Sequence, residues 1–323
     1  MNEPRTRQFF GIVGVGRSGT SLLMSMLNAH PEIVLPPETH FLGSYVMRHP
    51  KISVDVFQTL LAKDHRFDRL GFSAGEIDKV IADIQGDFSA AGFYWRMLEH
   101  YASIRDAQII GDKAPKNIEY LPVIRRLFST ARIIHIIRDP RDVYLSRTKA
   151  KWSSGYSDTA HFVAYRSQYT LGTRLGARIF GDRYYQLRYE DLLSNPEREL
   201  RSICSWLGVN YREEMLQFSR SAQELVSAEE EAWKKETLGP LLRDNRDKWK
   251  RELDRGKVWA IEAACSPAFR DGCYQRSASP ASILRRFWFK LVEVYITTLS
   301  ILYRIWVLLQ NYRVQRAYRN WSS

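Results

Sequence analysis

Ten residues constrain this chain more than any others: GVGRSGTSLL, residues 14 to 23, directly after the apolar run FFGIV. Glycines 14, 16 and 19 let the backbone turn tightly, so that successive N–H groups and the N-terminus of a following helix converge on an anion. The stretch satisfies the G-x-G-x-x-G dinucleotide pattern. It also satisfies the Walker A spacing, except that Thr20 stands where Lys belongs. The anion it holds has to be decided elsewhere in the chain.

The surrounding pattern predicts an α/β fold. Strands are expected at Phe9 to Val13, Ile33 to Leu35, Gln108 to Ile110, Arg132 to Ile137 and Tyr184 to Leu187, with helical patterns between them, which is the alternation of a parallel sheet with crossover helices. Helices are signalled over Thr20 to Asn28, by a Ser73/Glu76 capping box, and by Asn195-Pro196-Glu197 opening a helix that Gly208 closes. Residues 43 to 107 read as a mostly helical insertion, of the kind that shapes a second-substrate pocket.

The dinucleotide reading needs an acid at the end of a second strand, and Glu38 stands at the right distance but follows Pro36-Pro37, which ends strand geometry. The kinase or NTPase reading lacks the loop Lys and a strand-end acid for Mg²⁺. A second anion site separates the possibilities. In ARIIHIIRDPRDVYLSR an apolar strand ends in Arg138 and turns into a helix carrying Ser146, so that both can converge on one phosphate while Arg141 and Arg147 add positive potential. Two anion sites in one sheet fit a nucleotide with phosphates at both ends of its ribose.

These motifs resemble the sulfotransferase family that uses 3′-phosphoadenosine 5′-phosphosulfate (PAPS), over residues 9 to about 275. GVGRSGTSLL is similar to the family's 5′-phosphosulfate loop, which implies nucleotide contacts from Gly16, Arg17, Ser18, Gly19, Thr20 and Ser21. RDPRDVYLSR resembles its 3′-phosphate motif, with Arg138 and Ser146 at the family's spacing. LRYEDLLSNPE implies Tyr189 near the adenine, and NRDKWKREL a late loop over the 3′-phosphate around Asn245, Lys248 and Trp249. Thr20-Ser21 replaces the usual Thr-Thr and keeps both hydroxyls. The resemblance implies a P-loop-like three-layer fold and transfer of a sulfonate to a hydroxyl or amine.

A sulfonate carries one negative charge, so N–H groups and a cation can stabilise the leaving oxygen, and no metal is expected. The acceptor hydroxyl needs a base. Glu38 lies 21 residues after Arg17, matching the base of Golgi-type and several bacterial relatives; His40 is the second choice, while His30 reads as structural and His135 as a core residue. Lys113, in GDKAPKN at the carboxyl edge of the sheet, is placed to neutralise the transferring sulfonate or orient the acceptor, with a solvated Lys as its rival reading.

The net charge is +12, and half of it lies in the last 41 residues: seven cations (Arg285, Arg286, Lys290, Arg304, Arg313, Arg316, Arg319) against Glu293. A Ser/Pro-rich joint, 277 to 282, divides a catalytic body (1–278) from this tail (279–323). On a helix, Arg286, Lys290, Glu293, Thr297, Ser300 and Arg304 form one narrow polar stripe with apolar residues on every other side. Such a helix has to lie in a membrane interface, dock on the body or pair with a second copy as a homodimer. The uncharged run, Val294 to Tyr303, is about half the ~20 residues of a full span. The flanking arginines and aromatic residues favour an interfacial helix on anionic lipid through residues 283–319, and hence a carbohydrate or lipid-linked acceptor. Nucleic-acid binding is the non-enzymatic alternative raised by the charge, but no nucleic-acid module is recognisable and no such partner is expected. Three unpaired cysteines and the lack of an apolar leader before the first strand give a cytoplasmic, peripherally membrane-associated enzyme as the expectation.

Overall fold

The computed structural model describes residues 7–84, 87–225, 239–277 and 282–319. The joint between body and tail therefore falls mostly outside the described residues. At the centre of the sheet runs β1 (Gln8–Gly14), flanked by β3 (Ile109–Lys113) and β4 (Arg132–Ile137); β2 (Ile33–Val34) and β5 (Tyr184–Arg188) form the edges. All pairings are parallel, in the order β2-β3-β1-β4-β5. Strand side chains alternate between faces. Phe9, Val13, Ile110 and Ile133 thus join one core with Phe41 and Tyr94, while Phe10, Ile12, Ile134 and Ile136 join another with Leu23, Leu27 and Leu200. The result is the three-layer P-loop-like α/β architecture.

The helices that place the site are α1 (Thr20–Asn28), α2 (Ala90–Ile104), α3 (Pro140–Lys149), α4 (Asp158–Thr170), α5 (Pro196–Leu207), α6 (Arg255–Ala264) and α7 (Ile283–Ala317). The Ser73–Glu76 capping box is present, and α5 ends at Gly208 in the left-handed conformation. β3 runs on past Ile110 through Gly111, Asp112 and Lys113, all buried. Their polarity hides the strand from a hydrophobicity pattern. Gly111 makes it possible, since a Cβ there would meet Leu35 and Phe10 side chains at 2.5 Å.

Helix α7 is 35 residues long and, by length and composition, apolar enough to cross a membrane. It packs lengthwise on the body against α4, α6 and the helix Leu121–Leu127. The face it covers is mixed, with Ile296, Val307 and Val314 buried beside Ser300 and Asn311. The polar stripe from Glu293 onward faces the protein: Glu293 accepts from Ser266 Oγ at 2.8 Å, and fully buried Ser300 meets Ser167 at 2.9 Å. Farther along, Gln315 Nε2 donates to the Pro122 carbonyl at 2.8 Å. Leu284, Trp288, Leu302, Leu309 and Tyr312 are exposed on the outer side.

Candidate active site

Because every strand is parallel, all five carboxyl ends lie along one edge of the sheet, where the loops collect. β1 delivers the loop 15–19, β2 leads to Glu38, β3 ends in Lys113, β4 is followed by Arg138 and β5 by Tyr189. Gly16, Arg17, Gly19, Thr20, Ser21, Glu38, His40, Lys113, Arg138, Tyr189 and Asn245 line one cavity of about 650 Å³.

The loop is tightly bent. Arg17 has φ 81° and Gly19 φ 94°, and a Cβ at Gly19 would sit 2.2 Å from the Tyr189 ring. Only glycine combines that backbone with that approach. Helix α1 starts at Gly19 without a side-chain cap, which leaves its first N–H groups to other partners. Arg17 Nε donates to Ser146 Oγ at 3.0 Å and thereby ties the two anion motifs together across 129 residues. Ser146 does not itself line the cavity.

Arg138 braces the loop against the late segment. Its guanidinium donates to the carbonyls of Arg17 at 3.1 Å and Asn245 at 2.8 Å and lies 4.4 Å from the Tyr189 ring centre. Asn245 Nδ2 donates to the Tyr189 hydroxyl at 3.0 Å. Arg138 Nε and Ser18 Oγ are buried and have no partner among the described residues. Two unpaired donors beside an uncapped helix start suit a phosphate-bearing ligand.

Beside the loop, Glu38 and Lys113 form a buried ion pair. Lys113 Nζ also lies 3.4 Å from Ser21 Oγ, and His40 Nδ1 lies 3.4 Å from Glu38 Oε1. His40 is half exposed, with φ 53°. Next to Lys113 in β3, Asp112 is a buried carboxyl that no sequence motif marks. It accepts from Asn117 Nδ2 at 2.9 Å, and burial, joined by the nearby Glu38 charge, pushes its carboxyl up to about 6. Arg147 is also buried in the cavity wall, donating to His161 Nδ1 at 3.0 Å, and burial lowers its guanidinium from the ordinary value.

Several predicted residues stand elsewhere. Arg141 adds no net potential to the cavity, because Asp139 at 2.6 Å and Glu262 at 2.8 Å neutralise it. Trp249 stacks over Arg141 at 3.7 Å and lines a second cavity behind the phosphate motif; Lys248 precedes it, outside the first cavity's lining. His30 is buried, its Nε2 2.7 Å from the Asn210 carbonyl oxygen, and His135 lies buried in β4, where desolvation pulls it down to about 3.

Further lining residues carry no local motif: Glu119, Trp152, Tyr156, Gln168 and, from α7, Tyr303. Glu119 stands six residues past Lys113 and Trp152 six past Ser146, each just beyond a recognised motif. Among the described residues no group of three His, Cys, Asp or Glu is placed to hold a metal ion.

The sheet order and the loop geometry define a P-loop-like α/β protein with a cation-lined cavity at its carboxyl edge. The sulfotransferase family model matches residues 10–214, and the chain belongs to that family. It is 25% identical over 225 residues to a putative protein-tyrosine sulfotransferase of Caenorhabditis briggsae, covering 69% of this chain and 71% of that one. It is 23% identical over 198 residues to carbohydrate sulfotransferase 3 of Mus musculus, covering 53% and 40% respectively. The chain spans about half the length of the Danio rerio and Gallus gallus protein-tyrosine sulfotransferases it matches. The fold is shared with the sulfotransferase domain of the Synechococcus PCC 7002 olefin synthase, at TM-score 0.64 and 22% identity, over 85% of this chain and 99% of that one.

Proposed function

We propose that this chain transfers the sulfonate of PAPS to a hydroxyl or amine of a carbohydrate or lipid-linked acceptor. The observation that carries the reading is the buried Glu38–Lys113 pair set against Ser21, on a loop that Arg17 and Ser146 tie to the second anion motif. In this reading Glu38 Oε takes the proton of the acceptor hydroxyl as its oxygen bonds to sulfur. The bond from sulfur to the bridging phosphate oxygen breaks, and the charge left there is met by Lys113, Arg17 and the N–H groups at the start of α1. Arg138 and Asn245 hold the 3′-phosphate side, and Tyr189 flanks the base. His40 is the alternate proton acceptor; its exposure and its 3.4 Å reach to Glu38 suit a relay to solvent better than direct attack.

The same reading seats the body on a membrane surface through α7, on the cytoplasmic face. The exposed apolar side of that helix and its terminal cations support it. A homodimer over this face would bring like-charged ends together whether the helices ran parallel or antiparallel, since Glu293 is already engaged by Ser266 and Lys290.

The test compares thermal stabilisation by 3′-phosphoadenosine 5′-phosphate (PAP), Mg-ATP and NAD(P)H, each with and without chelator. Chelator-insensitive stabilisation by PAP alone is the expected outcome. Stabilisation by Mg-ATP alone would make the loop a divergent Walker loop and overturn the reading.

A further inference from the structure

Three side chains in the cavity wall point to how an acceptor is recognised. Glu119 is buried, 2% exposed, at the end of the short 3-10 helix Pro115–Glu119 that follows β3. Gln168 Nε2 donates to Glu119 Oε1 at 2.7 Å, and the Tyr303 hydroxyl donates to the same oxygen at 2.9 Å. Burial, and then the Glu119 charge, raises the Tyr303 phenol, so it stays a donor. The tail also grips Glu119 from behind, where Asn311 Nδ2 donates to its backbone carbonyl at 2.8 Å.

This arrangement leaves acceptors over. Both bonds to the carboxylate use Oε1, and Oε2 accepts from no described residue. Gln168 Oε1 is buried without a partner. The amide cannot be turned to relieve this, because its oxygen would then face the carboxylate. What remains is a pair of oxygens that can only accept, in residues that line the cavity with Tyr303, Trp152, Tyr156, Ala160 and Ala164. Buried acceptors call for donors.

We propose that Glu119, Gln168 and Tyr303 form an acceptor subsite that takes a second hydroxyl of a polyol head group, beside the hydroxyl that reacts. A neutral hydroxyl fits better than an ammonium, because Lys116 and Arg147 line the same cavity. An anionic group is repelled by the carboxylate. Aromatic and alanine walls suit the C–H faces of a sugar or similar polyol. Tyr303 and Asn311 act as positioning residues: the tail helix fixes the carboxylate that meets the ligand. The inference rests on the transfer reading above.

The experiment uses the full chain saturated with PAP and titrates octyl β-glucoside, below its micelle concentration, against 1-octanol, which carries the same alkyl chain and a single hydroxyl. Wild type is expected to bind the glucoside more tightly. Tyr303→Phe and, separately, Gln168→Met should each weaken the glucoside about 3- to 10-fold while leaving octanol and PAP within about twofold. Glucoside binding that is absent, or that falls in step with octanol in both variants, overturns the subsite and leaves the transfer reading standing. Failure of wild type to bind PAP overturns the transfer reading, and the subsite falls with it.

Discussion

The cavity is lined by two groups of residues with opposite characters. Around the loop, Arg17, Lys113, Arg138 and Arg147 bring cations to the carboxyl edge of the sheet, and Arg138 Nε is a buried donor without a partner among the described residues. Around Glu119, the unsatisfied atoms are oxygens that only accept. A group transfer between an anionic donor and a hydroxylic acceptor needs this asymmetry, since a uniformly basic cavity would bind two anions and a uniformly acidic one neither. The two regions also differ in construction. The first comes from the ends of β1, β3 and β4 and from α3, each inside a local motif; the second comes from the 3-10 helix, α4 and the distant tail, so the first is readable from local motifs and the second is not.

The largest effect expected is on the boundary between the regions. Glu38→Gln should lower kcat by about 10²- to 10⁴-fold while the Kd for PAP, measured by calorimetry, stays within about twofold. Unchanged turnover would remove Glu38 as the base and hand the role to His40.

Asp112 tests how much strain that boundary stores. Its carboxyl is raised to about 6, chiefly by burial, so the folded state holds the proton more tightly than the unfolded chain. The associated stability is fully present below the unfolded value and is lost as pH rises through about 6. Urea titrations from pH 4 to 7 should show wild type losing up to about 3 kcal/mol relative to Asp112→Asn. Parallel pH profiles for the two proteins would contradict the assignment.

Next comes the cationic region itself. Arg138→Ala should weaken PAP binding by about 2 kcal/mol, as expected for loss of charged hydrogen bonds in a buried site, with a smaller effect on glucoside binding. Equal loss of both ligands would mean that Arg138 holds the whole cavity together rather than one region of it. The loop turn is read in stability rather than in ligand affinity. Gly19→Ala places a methyl on the Tyr189 ring in a left-handed backbone and should cost about 1–3 kcal/mol of stability, read as a fall in Tm that PAP only partly restores.

Legibility followed the range of the interactions. Helix α1 was readable to its exact ends because a glycine turn and an unbroken buried face specify it locally. The apolar pattern of strand β3 stops at Ile110, whereas the strand runs on through Asp112 and Lys113, which are buried despite their polarity. The NRDKWKREL motif specifies where the chain passes but not where its side chains lie: Asn245 lines the cavity, whereas Lys248 and Trp249 do not.

The glycine loop, the strand–Arg138–helix motif and the polar stripe along an apolar tail are all legible in the chain, because glycine conformation, strand alternation and helical period act within a few residues. Only the tertiary structure decided that the stripe turns inward, that Tyr303 enters the cavity, and that Glu119 and Gln168 meet it there. Periodicity shows that a helix has two kinds of face; which one is covered depends on whether polar partners such as Ser167 and Glu119, more than a hundred residues away, stand ready to satisfy it.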